Sequence, residues 1–414
     1  MEPTRREFLK AAAAGIALTG TRSLASPNER ITLAVLGIHG RGAYLAENFS
    51  EIPNVEVGFL ADPDSRLFDE VAKKVESVSG KRPETIQDFR PFLDNKDIDA
   101  IVIATPDHWH ALATIWACEA GKDVYVEKPV SHNIGEGRRM VEAARKHDRI
   151  VQVGLQRRSA PFLPEAREYI RSGKLGGVHM ARIWHTSKRP PIGKEADCPA
   201  PEGVDYNLWL GPAPERPFNP NRFHYEWHWH WDYGTGELGN NGVHGVDLAR
   251  ALLDFGHPKR IACIGGMHEF EDDHQTPDTQ IVLWDYPGLS VICEERMWGG
   301  LPLEGGTFGV AVYGTEGTLL SDGESWETRH GDEIQKFPSS SGIDEHLAGF
   351  IESVRTRKAP IADIEEGHLS TLLCHTGNIA YRLGRDLRFD AESETFIDDA
   401  EANGFLARID RDLG

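Results

Sequence analysis

The segment that most limits what this chain can become is residues 31–42, Ile-Thr-Leu-Ala-Val-Leu-Gly-Ile-His-Gly-Arg-Gly. Six mostly apolar residues suit one buried strand. The glycines Gly37, Gly40 and Gly42 then force a tight turn ahead of a helical pattern in Leu45, Phe49 and Ile52. A strand, a turn and a helix N-terminus in that order offer backbone N–H groups to a phosphate, the arrangement that holds a dinucleotide pyrophosphate. His39 stands where the usual pattern has the glycine that lets backbone approach the phosphates closely. The plain alternative is an ordinary strand-to-helix turn. Asp62, at the end of a second apolar run (55–61), weighs for the nucleotide. An acid there accepts hydrogen bonds from the adenosine ribose and repels a 2′-phosphate, which favours NAD over NADP; read alone, it is equally a helix cap.

The alternation continues. A helix is expected over 67–78, strands at 99–104, 123–126 and 150–154, and helices between them at 111–120 and 135–147. Such spacing means a parallel, doubly wound sheet, whose ligands gather at the carboxyl ends of the strands. Thr105, Asp107, Glu127 and Lys128 fall at those ends. Beyond a helix at 164–171 and a strand at 178–186 comes a proline-rich stretch, 187–220, with little periodicity. A loop that long inside a compact domain is usually functional or disordered, and its aromatic, proline-rich character, with Tyr206, Trp209 and Phe218, favours an ordered wrap near the site. Residues 222–233 are the densest aromatic run in the chain. Flat rings suit sugar faces, although a packed loop or a subunit interface would use the same residues. His228 and His230 would share one face of a strand, as metal ligands do, but spacing identifies no third ligand and no metal is expected. A helix at 242–253, strand pairs at 281–285 with 289–294 and 310–313 with 318–321, and closing helices at 345–357 and 365–383 complete a sheet-based second domain. His346, His368 and His375 in the closing helices read as structural.

A chain of 414 residues favours two domains, and a net charge of −20 disfavours nucleic acid or anionic membrane as partners. Five scattered cysteines, without a Cys-x-x-Cys pair, read as buried small hydrophobes. Thr4-Arg5-Arg6-Glu7-Phe8-Leu9-Lys10, an apolar run at 11–18 and Ser23-Leu24-Ala25 have the layout of a twin-arginine signal peptide over 1–25. The apolar run is too short to span a membrane. The expectation is an exported, periplasmic protein, folded before export and holding its nucleotide throughout; an amphipathic helix with a chance arginine pair is the alternative.

On these residues the chain resembles the Gfo/Idh/MocA family, the glucose-fructose oxidoreductase and inositol dehydrogenase group. The resemblance is carried by the 37–42 turn, Ala104-Thr105-Pro106-Asp107-His108-Trp109-His110, Glu127-Lys128-Pro129, Gln152-Val153-Gly154, and Asn240-Asn241-Gly242-Val243-His244 with Asp247. It implies an α/β fold: an N-terminal Rossmann doubly wound parallel sheet over 31–155, and a C-terminal α+β domain with a large, open, mainly antiparallel sheet over 156–400, before a tail at 401–414. It also implies a homodimer or homotetramer, NAD or less readily NADP, and hydride transfer at a sugar or polyol carbon. Cofactor contacts are implied at Gly37, His39, Gly40, Arg41, Gly42, Asp62, Thr105, Pro106, His108, His110, Glu127, Lys128 and Gln156. Substrate contacts are implied at Arg157, Trp209, Tyr225, Trp231 and Asp247.

Oxidising a secondary alcohol needs a proton acceptor and a group that orients the oxygen. Lys128 suits the second task and His244 matches the family's general base, with Asn240 as the third catalytic position. In members like inositol dehydrogenase an aspartate lies four residues before that histidine; Asn240 can hydrogen-bond there but carries no charge. Three functions remain open from sequence: an exported oxidoreductase that regenerates its bound NAD on a second substrate, an NAD-dependent glycosidase working by transient oxidation, elimination and re-reduction, and a carbohydrate-binding protein on a Rossmann scaffold.

Overall fold

The computed structural model describes residues 30–411. The signal peptide expected over 1–25 lies outside them. Strand β1 (Ile31–Leu36) is central, and its side chains alternate between two cores. Leu33 and Val35 face a cluster containing Phe49, Tyr125 and Phe350, whereas Ala34 and Leu36 face one containing Ile101, Ile103 and Val124. A strand covered on both faces is apolar at nearly every position, which is why the segment reads as a continuous run. With β2 (Val55–Ala61), β3 (Glu84–Ile86), β4 (Ala100–Ile103), β5 (Asp123–Val126) and β6 (Val151–Val153) it forms a sheet in the order β3-β2-β1-β4-β5-β6. Every pairing in it is parallel. The chain reverses direction of travel across the sheet between β1 and β4, so their carboxyl ends open a crevice.

One helix crosses the division drawn from sequence. The helix expected at 345–357 to close the second half runs Ile343–Thr356, yet its Leu347, Phe350 and Ile351 sit in the first core, with the Phe350 ring 6.0 Å from Phe49 and 5.7 Å from Tyr125. The Rossmann sheet therefore borrows a cover from late in the chain. Phe350→Ala is expected to cost about 3–5 kcal/mol, the range for emptying a buried phenylalanine site. Urea unfolding measures this; an unchanged midpoint would mean the helix is dispensable to the first core.

The second sheet has ten strands: β7 (Val178–Thr186), β8 (Arg260–Gly266), β9 (Thr279–Tyr286), β10 (Leu289–Arg296), β11 (Phe308–Gly314), β12 (Thr318–Ser321), β13 (Trp326–His330), β14 (Glu333–Phe337), β15 (Leu387–Asp390) and β16 (Thr395–Phe396). Their order is β14-β13-β12-β11-β7-β10-β9-β8-β15-β16, and β7 with β10 is the parallel pair in an otherwise antiparallel sheet. Val282, Trp284, Val291 and Cys293 are buried together with Val246, Leu373 and Ile379 of the helices Val243–Leu253 and Ile364–Leu383. Along β9 the alternate positions Ile281 and Leu283 are exposed, and Ile264 lies directly across from Ile281 on β8. Cys118, Cys293 and Cys374 are buried as expected, but Cys198 is exposed and Cys263 only half-buried; all five are free thiols. Among the described residues no helix is long and apolar enough to cross a membrane.

Candidate functional site

The turn after β1 is shaped by its glycines. Gly37 has φ +76°, and a Cβ there would lie 2.7 Å from the Ala104 carbonyl oxygen, so the ends of β1 and β4 meet backbone to backbone. A Cβ on Gly42 would lie 1.7 Å from the Gly37 oxygen. The Arg41–Ser50 helix starts at Gly40 with no side-chain cap, and nothing lies within 4 Å of where a Gly40 Cβ would be. Gly40 and Arg41, at the start of that helix, both line the cavity of the site, and the Gly42 N–H is taken by the His39 carbonyl at 3.3 Å. Asp62 braces this turn, accepting hydrogen bonds from the Ile38 N–H at 2.8 Å and the Asp64 N–H at 2.9 Å. Burial pushes its carboxyl up to about 6.

At the end of β5, Glu127 accepts a hydrogen bond from Arg41 Nε at 2.7 Å. Burial alone would raise its pKa, but the charges of Arg41 and Lys128 hold the carboxyl below its ordinary value. Gly154 makes room for it, since a Cβ there would lie 2.8 Å from the Glu127 carboxylate. The Lys128–Pro129 peptide is cis. Lys128 Nζ donates to both the backbone oxygen and Oδ1 of Asn240, each at 2.9 Å. Burial lowers its pKa, with Glu127 and Asp107 opposing. His244 opens the Val243–Leu253 helix, and its buried Nδ1 has no hydrogen-bond partner. Burial, reinforced by the charges of Arg157, Lys128 and Arg41, holds this imidazole well below the ordinary histidine value.

Lys128 and His244, from different domains, line one cavity of about 420 Å³ together with Gly37, His39, Gly40, Arg41, Asp62, Thr105, Pro106, Glu127, Gln156, Trp209, Tyr225 and Asn240. Thr105 Oγ1, Asp107 Oδ1 and Gln156 Oε1, all on residues of this wall, are buried without a partner. An open, uncapped helix N-terminus at one end and unsatisfied polar atoms along the wall fit a dinucleotide. The proline-rich segment is ordered and crosses the end of β2. Asp205 N–H donates to the Pro63 oxygen at 2.9 Å and Ser65 N–H to the Gly203 oxygen at 3.0 Å. Further along, His224 Nε2 pairs with Asp64 Oδ2 at 2.9 Å, and its ring stacks on His39 at 4.5 Å. His39 is therefore exposed at the rim, clasped by the second domain.

Several expected contacts fall elsewhere. The helix Asp107–Glu119 starts four residues before the expected position and buries His108 and His110, neither of which lines the cavity. His110 bonds the Pro129 and Thr105 carbonyls at 2.7 and 2.9 Å, and His108 the Trp209 carbonyl at 3.1 Å. Asp247, placed with substrate, is instead a buried partner of Arg158 at 2.8 Å and of Ser370 at 2.7 Å. Trp231 is likewise outside, donating to the Gln275 carbonyl at 3.0 Å beneath Arg382. Arg157 is not on the cavity wall but lies 3.4 Å over the Phe308 ring, and burial brings its pKa down to about 10. The strand expected to align His228 and His230 is a 3-10 turn: His228 lines the cavity, while His230 bonds the Asn221 carbonyl at 2.6 Å. Among the described residues no His, Cys, Asp and Glu group is arranged to hold a metal.

Glu237 escaped the sequence reading. It is buried one turn before Asn240, at the N-cap of the short π-helical entry (Leu238–Gly242) to the His244 helix, and accepts from Asn240 Nδ2 at 3.2 Å and Asn241 Nδ2 at 2.7 Å. His185 and Arg189 both approach it to 3.0 Å. The one available signal was its three-residue spacing from Asn240.

A family model described as an oxidoreductase family C-terminal alpha/beta domain matches residues 191–413, and one described as the NAD-binding Rossmann fold of the same family matches 31–155. Inositol 2-dehydrogenase of Rubrobacter xylanophilus is 33% identical over 160 residues, 38% of this chain and 44% of that one. Glycosyl hydrolase family 109 protein 1 of a Shewanella species (strain MR-4) is 27% identical over 169 residues, 34% of this chain and 37% of that one. Each match thus spans less than half of the curated relative. The solved structure of levoglucosan dehydrogenase in complex with NADH and levoglucosan shares the fold, with a TM-score of 0.67 at 16% identity, covering 90% of this chain and all of that one. With both domain models in place around one cleft, the chain belongs to the Gfo/Idh/MocA oxidoreductase family, and its first domain is that family's NAD-binding Rossmann fold.

Proposed function

We propose that this protein is an exported, periplasmic oxidoreductase that moves hydride between tightly held NAD and a hydroxyl of a sugar, polyol or glycoside. The observation that carries the reading is the convergence of Lys128 and His244, from two domains, on the cavity that begins at the uncapped Arg41–Ser50 helix. Bound there, NAD would accept the hydride from the carbon being oxidised. Gly40, Arg41 and the turn would take the pyrophosphate; Asp62 would take the ribose, since a carboxylate oxygen that braces a backbone N–H keeps a second lone pair. Lys128 has three N–H donors and spends two on Asn240, leaving one for the substrate oxygen. His244, kept neutral with an unpartnered ring nitrogen, accepts the hydroxyl proton. Tyr225, exposed on the cavity wall, would offer its ring to a sugar, whereas Trp209 lines the wall from a packed cluster in which it stacks on Tyr206. The relatives that act on inositol and levoglucosan by name support this class of substrate.

Retention of the nucleotide follows from the clasp that His224, Asp205 and Gly203 make over the end of β2. The mature protein is expected to keep about one nucleotide per chain through dialysis and to change its nicotinamide absorbance when an oxidisable sugar is added. Nucleotide-free protein with micromolar or weaker affinity would count against it. The exposed apolar strip of Ile264, Ile281 and Leu283 suits a homodimer or homotetramer interface. The glycosyl hydrolase family 109 relative favours a second reading, in which the hydride is withdrawn, the glycoside is cleaved by elimination, and the hydride is returned. Chromogenic glycosides separate the two, because only the second releases aglycone without an added acceptor.

A further inference from the structure

Asn240 poses a problem of charge. It sits against the Lys128 ammonium where a carboxylate would be the natural partner, and an amide gives only a dipole. The structure supplies the missing charge one hydrogen bond further back. Glu237 lies on the same entry segment, fully enclosed, with its two oxygens shared among Asn240 Nδ2, Asn241 Nδ2, His185 Nδ1 and Arg189 Nη2 at 2.7–3.2 Å. We propose that Glu237 is a positioning residue for Lys128: its carboxylate turns the Asn240 amide so that Oδ1 faces the ammonium, and it supplies the negative charge that Asn240 lacks.

The orientation follows from donor and acceptor counting. An ionised carboxylate only accepts and an ammonium only donates, so an amide caught between them must present NH2 to Glu237 and oxygen to Lys128. The distances agree, 3.2 Å on the first side and 2.9 Å on the second. Glu237 is ionised because His185 and Arg189 outweigh its burial and hold it well below the ordinary glutamate range. His185 is in turn raised to about 9 by Glu237 and Glu295 against its own burial. Of the two carboxyls beside His185, burial leaves Glu295 at about 7, so Glu237 is the one that keeps the charge. The charged groups facing Lys128 are Glu127, Asp107, Arg41 and Glu237, and Glu237 is the one reached through a residue that also touches Lys128 Nζ. Asp107, pushed up to about 7 by burial, is only part-ionised near neutrality.

This inference rests on the role proposed for Lys128, but its test does not need the substrate. The full chain with its nucleotide is treated at pH 8 with a limiting amount of acetic anhydride, and acetylation is read at each lysine by mass spectrometry. Exposed Lys73 and Lys336 serve as internal references. Glu237→Gln keeps the shape and removes the charge, so Lys128 holds its proton less firmly and its labelling is expected to rise at least threefold against the references. Adding Asn240→Asp to that variant restores a carboxylate at one remove less, and labelling is expected to return to the parent level. Should Glu237→Gln not fold, Asn240→Leu breaks the link with the carboxylate in place and is expected to give the same rise. Labelling of Lys128 that ignores Glu237→Gln, or a rise that Asn240→Asp does not reverse, overturns the proposal. Turnover separates this from the wider reading: a chain whose Lys128 answers to Glu237 but which transfers no hydride to or from any sugar refutes the oxidoreductase and leaves the coupling intact. On an active substrate, Glu237→Gln is expected to lower kcat tenfold or more while the bound nucleotide stays at the parent level.

Discussion

Alanine in place of Lys128, or in place of His244, is expected to lower turnover on any sugar the protein oxidises by two orders of magnitude or more. That is the scale on which a positioned acid or base acts. The two losses differ in kind. Without Lys128, the Asn240 carbonyl and amide oxygens lose the donor they share, and the substrate oxygen loses the cation that orients it. Without His244, the oxygen is still held but its proton has no acceptor. The pH dependence tells the same story from the other side. Burial first, then the charges of Arg157, Lys128, Arg41 and His185, all lower the His244 pKa, so the ring is already neutral at pH 6.5 and the acid limb assigned to it falls below that value. Stopped-flow absorbance of the nicotinamide, under a pH series for the parent and each variant, is the measurement. Full activity in both variants would remove the assignment, and an acid limb centred at or above 6.5 that disappears in His244→Ala would contradict the burial argument.

How much of this was open to a reader of the sequence depends on the range of the interactions involved. The β1 turn was legible because a buried parallel strand is apolar at each position and the turn after it needs glycine; both facts lie within a dozen consecutive residues. The convergence of Lys128 with His244 was reachable only through family resemblance, since nothing local links positions 128 and 244. His108 and His110 show the opposite failure. Polar rings beside a strand end resemble ligand contacts, but the helix starts at Asp107, and that start turns both rings onto buried carbonyls. Asp247 misled for a related reason: an acid one turn after His244 resembles a substrate contact, but Arg158 and Ser370 hold it in a buried ion pair instead. Phe350 and Glu237 were invisible in a stronger sense. Each looks ordinary in its own helix, and each acquires its role from an element far away in the chain, Phe49 for the first and His185 with Arg189 for the second.

Gly42→Ala is the substitution from which the largest loss of cofactor is expected. The added methyl would stand 1.7 Å from the Gly37 carbonyl oxygen, and neither atom belongs to a side chain that could rotate away. Relief requires the turn itself to open. The Arg41–Ser50 helix would move with it, taking Arg41 off Glu127 and disturbing Phe49 in the core. Overpacking of this kind costs about 1–3 kcal/mol in stability, and more where backbone must shift. Its effect on binding is larger than on folding, because the pyrophosphate would be held by the same N–H groups that the shift displaces. Gly40→Ala is the comparison for folding: its methyl meets no protein atom within 4 Å, so the expected penalty is the backbone strain of a residue at φ +50° and ψ −99°, about 1–3 kcal/mol, without collapse of the turn. Urea unfolding distinguishes the two variants, and nucleotide content per chain reads the loss in Gly42→Ala. Gly42→Ala purified with a full complement of nucleotide would mean that the turn is not what holds the cofactor, since no arrangement of the present backbone admits both that methyl and the Gly37 oxygen.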